Sequence, residues 1–531
     1  MTLEDDYKQT NMLSCTTMDW WQAAVDWIKE EQNGGLVHSA IQISHQRELV
    51  VTEQVEENSI LFRIPSNCLF GWDTVARDVD FGRDLVTVIE DMMNHQSSLL
   101  YNSTYDLAVA TFLASNPESA KHYRNTLPKS SDFDALPRRW TEEELSYLTG
   151  SPLLSRIAKE KEGVQSDYKK LQATWTYTTK NNARVNQTRA FPSFAAFSDS
   201  LAAVTSRAFA GFGGTSSVAT TTSSRTKDEA IAMVPLLDLC NHCRGQENIT
   251  KNLSYEFNAE EGAVVVKSNQ IIRKGENLRI TYGARSNGVL LLNYGFCISD
   301  NVEPDGSSND ILEFQATPEH SIVFLKQGPK SHAFHGFVNA LDQFRSALPL
   351  PPTNNGERED AGDIPENFDD VSEGDGSFDW EAATVGNNTN KDGPMHDENE
   401  VAEKNEISWD TDAATVQLVA LTAFEKRLED MLRGYTIKSD DLKDAKLPKT
   451  PSKKHFAALM ILSEYSIMYF TAIVIRKLKD LLGCKDKKKA VTEMVLAAVV
   501  GMDNAGRQTF EAQAESIANA FLAVRFSCYQ L

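Results

Sequence analysis

The order of hydrophobic periodicities along the chain is the strongest constraint on its fold. Short runs at residues 40–43, 48–52 and 60–65 place apolar, often β-branched residues at every second position, the period of a half-buried strand. From residue 85 to about 207 the spacing changes to that of a helix, with many aromatic residues. Period two returns over residues 230–282, and helical spacing resumes after about residue 305, in blocks at 333–348, 414–433, 452–482 and 490–524. This order predicts an α+β chain, a β-fold with a helical insert followed by an all-α domain.

Local signals place individual elements. A helix over residues 20–31 should close at Asn33-Gly34-Gly35, where a left-handed cap costs little. Thr141 and Glu144 read as a capping box, and residues 105–114 and 193–209 read as further helices. Residues 213–226 are rich in Ser, Thr and Gly and read as a flexible loop. A hairpin is expected between 263–267 and 278–282, turning at Lys274-Gly275-Glu276. Residues 286–294 read as a short helix capped by Ser286 and ended by Gly295.

A chain of 531 residues with 41% hydrophobic residues has room for more than one buried core. Its net charge of −22 is unevenly spread: residues 356–412 hold 19 Asp and Glu against 3 Lys and Arg, so the remainder carries −22 + 16 = −6. That acidic insertion, bounded at 353–412, has too few apolar residues to bury and is expected to be disordered. It argues against direct nucleic-acid binding. Seven scattered cysteines do not read as a disulfide framework, which points to a reducing compartment, cytoplasmic or nuclear. The acidic start of the chain lacks a signal core and a clear transit pattern, though a plastid destination stays open. Residues 456–475 are apolar enough to be weighed as a membrane span, but Glu464 near the centre would cost about 2.5–3.5 kcal/mol there, so a buried helix is the better reading.

Against this background one constellation stands out. Asp238-Leu239-Cys240-Asn241-His242 is followed by Ile280-Thr281-Tyr282-Gly283 and then Tyr294-Gly295-Phe296. Their order and spacing resemble the two C-terminal motifs of SET-domain protein methyltransferases. The wider wording, VPLLDLCNH then LRITYGARSNGVLLLNYGF, is most similar to the Rubisco large-subunit methyltransferase branch. NTLPKSSDFDALPRRWTEEELSYLTGSPL and VTSRAF resemble that branch's helical insert, and LEDMLRGYTIKSDDLKDAKLP its C-terminal domain, so the likeness extends over about 480 residues. It implies a SET domain over residues 1–304 with an insert at about 85–225, and a helical substrate-binding domain over 305–531.

The resemblance implies methyl transfer from S-adenosylmethionine to a lysine of a protein substrate, by a monomer with no membrane partner and no metal. Such chemistry needs a narrow, dry channel with cofactor and acceptor on opposite sides. It also needs a neutral amine, although lysine ordinarily titrates at about 10.4; burial lowers that value. Tyr282, ending a strand whose residues Leu278 and Ile280 share its face, is the candidate catalytic residue. By the resemblance Asn241 and His242 bind the cofactor, as do Arg207, Gln46, Arg47 and Arg285, with Asn287 in support; Asp238, Tyr255 and Tyr294 line the lysine channel. Cys240 and Cys243 have zinc-ligand spacing, but a second pair is missing. One departure is plain: where the family shows Gly-x-Gly-Leu, this chain has Gln46-Arg47-Glu48-Leu49. Glu48 could crowd the cofactor, which keeps a non-catalytic peptide-binding module open as an alternative. A protein-histidine methyltransferase of the same branch is the other; it carries Trp where this chain has Leu237 and lacks the tyrosine at Tyr294.

Overall fold

The computed structural model describes residues 15–44, 46–96, 100–181, 190–211, 230–243, 251–299, 301–303, 308–315, 321–325, 411–435 and 452–482. The loop at 213–226, the helical blocks at 333–348 and 490–524, and all of the acidic insertion except its last two residues lie outside them. The chain divides into two units, the first of Met1–Thr141, Ser155–Arg285 and Val289–Phe296, the second of Glu142–Leu154, Ser286–Gly288 and Cys297–Leu531.

In the first unit, helix α1 (Cys15–Lys29) buries Trp21, Ala24, Val25 and Ile28, a stripe at helical spacing. Its end is capped by Gly34 at φ +70°, with the Asn33 and Gly34 amides both returning to Glu30 O at 2.8 Å. The stripe packs on a sheet of strands β1 (Leu36–Val37), β4 (Ile60–Pro65), β9 (Leu253–Asn258) and β10 (Ala263–Ser268), in the order β1-β4-β10-β9. Strand β10 is central, and its run Ala263–Val266 is buried on both faces, which is why it reads as continuously apolar rather than alternating. Strands β2 (Ile41–Ile43) and β3 (Leu49–Val51) form a hairpin; β5 (Phe70–Gly71), β6 (Ala208–Ala210) and β7 (Ile231–Met233) form a three-stranded sheet in the order β5-β7-β6.

The helical insert builds its own core. Helices α2 (Gly82–Gln96), α3 (Thr104–Ala114), α4 (Leu153–Asn181) and α5 (Phe194–Arg207) surround Phe81, Phe112, Leu171, Trp175 and Phe197. Helix α3 is buried all round from Asp106 to Leu113, and Ser103 caps it by accepting from the Asp106 amide; Ser193 caps α5 the same way through Ala196.

Two expectations are corrected. The hairpin between 263–267 and 278–282 does not form: both edges of β10 are taken by β4 and β9, and β11 (Arg279–Ile280) instead pairs in parallel with β8 (Asn241–His242). The turn at Gly275 (φ +86°) exists, but the true hairpin partner of β10 is β9. The short α6 (Asn287–Tyr294) lies mostly in the first unit, and in the second unit helices α7 (Thr411–Gly434) and α8 (Lys453–Leu482) are present. An antiparallel hairpin of β12 (Ile311–Gln315) and β13 (Ser321–Leu325) accompanies them, so the described part of this unit is mixed rather than all-α. None of the described helices is long and apolar enough to cross a membrane.

Candidate active site

The turn between β7 and β8 carries the first half of the site. Leu236, fully buried, sits at φ +68°, a left-handed conformation that a branched side chain adopts only when its surroundings enforce it. Bonds from Leu239 N to Leu236 O (3.2 Å) and Cys240 N to Leu237 O (3.0 Å) close one tight turn, which buries Asp238.

The second half is laid beside it by the parallel pairing of β8 and β11, which aligns Asn241 with Arg279 and His242 with Ile280. Just beyond, the Tyr282 amide donates to His242 Nδ1 at 3.0 Å, so Nδ1 is the unprotonated nitrogen of a neutral ring. Gly283, at φ +94°, turns the chain into α6, and Gly295, at φ +78°, turns it back. A Cβ on Gly295 would lie 2.7 Å from Ala135 Cβ, so glycine is required at this close approach. The result is an aromatic stack: Tyr282 lies between His242 (centroids 5.0 Å apart) and Tyr294 (4.7 Å), with Phe296 at 6.2 Å from both His242 and Tyr294. The Tyr282 hydroxyl donates to Cys240 O at 3.1 Å. Burial, first among the causes, raises the pKa of that phenol, so it is a neutral donor and acceptor rather than a base.

Asp238 is buried in the turn that precedes Cys240 and Asn241. The Tyr123 hydroxyl donates to Asp238 Oδ2 at 2.6 Å, and Arg207 donates to the Asp238 main-chain carbonyl. Asp238 Oδ1 is buried and has no hydrogen-bond partner among the described residues. Burial pushes the carboxyl up to about 6, against the opposing pull of Arg207, the Tyr123 bond, the residue's own backbone amide and Arg47. Tyr123, fully buried and stacked on Phe70 at 4.7 Å, was not foreseen from the sequence; it stands 115 residues before Asp238, and no local pattern announces the pair.

The remaining candidates are unequal. Tyr255 on β9 is partly buried and edge-on to Phe209 at 5.5 Å. Arg285 donates to Tyr282 O at 3.1 Å. Gln46 is exposed, and the Arg47 guanidinium donates to Thr126 O at 2.6 Å and lies 4.7 Å over the Trp20 ring. Asn287 is buried in the second unit, where its side chain bonds Ile298 and Asp310; that occupation leaves it no free amide for a cofactor. Asn241 donates to Glu48 Oε1 at 2.7 Å, and Asn277, unforeseen, donates to Glu48 Oε2 at 2.7 Å.

These residues fit the methionine end of S-adenosylmethionine. An ammonium group needs acceptors, and the site offers the Asn241 carbonyl, to which no described residue donates, backed by the Glu48 carboxylate. Among the described residues no group of three or more His, Cys, Asp or Glu side chains is placed to hold a metal.

No protein-family model matches the chain. Among characterised proteins it is similar to the chloroplastic Rubisco large-subunit N-methyltransferase of Pisum sativum, 26% identical over 299 residues, covering 54% of this chain and 52% of that protein. A ribosomal lysine N-methyltransferase of Schizosaccharomyces pombe is 22% identical over 297 residues, covering 55% and 65%. The chloroplastic fructose-bisphosphate aldolase lysine N-methyltransferase of Arabidopsis thaliana is 28% identical over 207 residues, covering 36% and 37%. The chain thus spans about half the length of the curated relatives it matches. Among solved structures, the SET domain of LSMT bound to lysine and AdoHcy matches with a TM-score of 0.56 at 18% identity, covering 88% of this chain and 93% of that one. Rubisco LSMT bound to AdoMet matches equally, at 0.56 and 18%, covering 87% and 92%. The fold is that of these SET-domain proteins.

Proposed function

We propose that the chain is an S-adenosylmethionine-dependent protein-lysine N-methyltransferase. The observation that carries this reading is the stack of Tyr282 between His242 and Tyr294, with the Tyr282 hydroxyl held against Cys240 O at 3.1 Å and the buried Asp238 carboxylate, one oxygen without a partner among the described residues, two residues before Cys240. When bound, the cofactor would supply an electrophilic methyl group to the lysine nitrogen, its sulfur keeping the electrons of the C–S bond, and the methylammonium formed would release a proton to water.

The chain's own residues do the rest. Tyr255, Tyr282 and Tyr294 give the lysine side chain apolar walls, which favour its neutral form by desolvation. Asp238 Oδ1 is a buried acceptor that orients an amine N–H; its charge favours the arriving ammonium, and the desolvation by the tyrosine walls acts against that preference. Tyr282, fixed by Cys240 O, adds a hydroxyl oxygen as acceptor for polarised C–H groups. Asn241, His242 and Arg207 hold the cofactor, with lesser parts for Gln46, Arg47 and Arg285. Residues 1–304 would form the catalytic domain and 305–531 the surface that docks a protein substrate.

Leu237 is small for a site that carries tryptophan in the histidine-modifying relatives, and Tyr294 supplies the extra tyrosine; both favour lysine over histidine. The test is transfer of label from S-adenosylmethionine to proteins of a cell extract, wild type against Tyr282→Phe. Wild type labels a protein on lysine, identified by mass spectrometry, and Tyr282→Phe falls about a hundredfold with an unchanged fold. Absence of both label and cofactor-binding heat would leave only a peptide-binding module.

A further inference from the structure

Glu48 stands where the family resemblance leads one to expect glycine, and the structure gives that side chain a defined place. It ends a turn closed by bonds from Ser44 N to Glu48 O (2.8 Å), Glu48 N to Ser44 Oγ (3.1 Å) and Arg47 N to Ser44 O (3.0 Å). Arg47 takes the left-handed conformation in this turn (φ +60°), while Gln46 and Glu48, the two positions where glycine is expected, have no positive φ. The backbone therefore does not call for glycine at either of them. Arg47 anchors the turn through Thr126 O, so Glu48 projects from a tied segment.

The Glu48 carboxylate joins three strands at one end of the site. Oε1 accepts from Asn241 Nδ2 on β8 and Oε2 from Asn277 Nδ2 just before β11, both at 2.7 Å, while β3 begins at the next residue. Arg279 lies 4.0 Å from Oε1, and the ion pair is about three-quarters shielded, with 24% and 23% of the two side chains exposed. A carboxylate can only accept, so the Asn241 amide has one permitted orientation: nitrogen toward Glu48, carbonyl oxygen on the opposite edge. No described residue donates to that oxygen.

We infer that Glu48 is a positioning residue that locks the Asn241 amide with its carbonyl toward the α-ammonium of the cofactor's methionine end, and so sets the site's preference for ligands that carry that amino group. This rests on the reading of Asn241 as a cofactor ligand. The carboxylate also polarises the amide it holds, which strengthens the carbonyl as an acceptor for a cation. Glutamine keeps the Asn241 bond only if the Asn277 amide turns over to accept from its nitrogen, so an alanine, which has neither end, is the cleaner replacement. A glycine would leave the Asn241 amide free to rotate. The opposite outcome, in which Glu48 merely obstructs the pocket, predicts that shortening the side chain tightens binding.

Calorimetric titration of the full chain decides between them, with S-adenosylhomocysteine and its analogue lacking the α-amino group as probes. Wild type binds the amino-bearing probe more tightly. In Glu48→Ala and Glu48→Gly that affinity falls about tenfold while affinity for the analogue stays within about twofold, so the preference collapses. Asn277→Ala, which keeps the Glu48–Asn241 bond, loses less. Tighter binding by Glu48→Gly, or equal losses for both probes, overturns the inference and leaves the methyltransferase reading in place. If neither wild type nor Glu48→Gly binds either probe, the methyltransferase reading itself falls, and the inference with it.

Discussion

Asp238 in the first unit and Glu464 in the second are both buried carboxylates, and both are pushed up by desolvation, to about 6 and about 7. Their surroundings differ in a way that separates a site from a scaffold. Glu464 is satisfied at both oxygens, accepting from Ser151 Oγ and from the Tyr435 hydroxyl at 2.8 Å each. The charge that acts on it is Asp310, which raises it further. Asp238 is satisfied at one oxygen only, and Arg207 and Arg47 favour its ionised form. A buried carboxylate with all its bonds made holds a fold together; one kept charged by cations with an acceptor unspent is held ready for a ligand.

The largest test of this contrast is pH. The folded Glu464 carboxyl is raised above its ordinary 4.5 to about 7, so the folded unit binds the proton more tightly than the unfolded chain. Its contribution to stability is full below about pH 4.5 and is lost as pH rises to about 7, with a limit of roughly 3 kcal/mol. Denaturant unfolding should therefore show wild type losing stability relative to Glu464→Gln between those values. A difference that stays flat with pH would show that Glu464 does not titrate in the folded protein. Asp238 adds a change of the same sign between about 3.8 and 6, which Asp238→Asn removes.

Activity should separate the two residues the other way. Asp238→Asn keeps an acceptor for Tyr123 but turns the open position into a donor. It should lower kcat/KM for methyl transfer about thirtyfold, or about 2 kcal/mol. Glu464→Gln should leave kcat/KM within about twofold at pH 7 in the same assay. Equal losses of activity in both variants would break the distinction.

Much of the first unit was legible in the sequence, because its signals are local. The stripe Trp21, Ala24, Val25 and Ile28, the glycine turns at Gly283 and Gly295 and the strand Ile60–Pro65 each follow from spacing within one segment. Partners are a different matter. Period two marked β10 and β11 as strands but not that β10 would be shared by β4 and β9, which is decided by packing far along the chain. Strands β12 and β13, five residues each, were too short to stand out from the helical blocks expected around them. The aromatic and amide motifs of the site were visible, yet Tyr123 and Asn277 were not. A tyrosine becomes a carboxylate's donor, and an asparagine a glutamate's, only through folding across 115 and 229 residues of sequence.

The finest test lies in how the scaffold carboxylate is satisfied. Ser151 Oγ donates to Glu464 Oε1 and accepts from the Leu153 amide at 3.1 Å at the start of α4, so one hydroxyl links a helix start to a buried charge. Gly150 precedes it at φ +94°, where a Cβ would lie 2.7 Å from the Gly434 carbonyl, so the backbone conformation is set without the serine. Ser151→Ala should therefore keep the loop and remove only the bond, costing about 1 kcal/mol. With one donor lost, the ionised carboxylate is stabilised less and the Glu464 pKa moves further up. The loss in the variant should accordingly be larger at pH 8 than at pH 5 in denaturant unfolding. A loss independent of pH would mean that the hydroxyl serves the Leu153 amide rather than the carboxylate, and Glu464 would then be less fully satisfied than its two bonds imply.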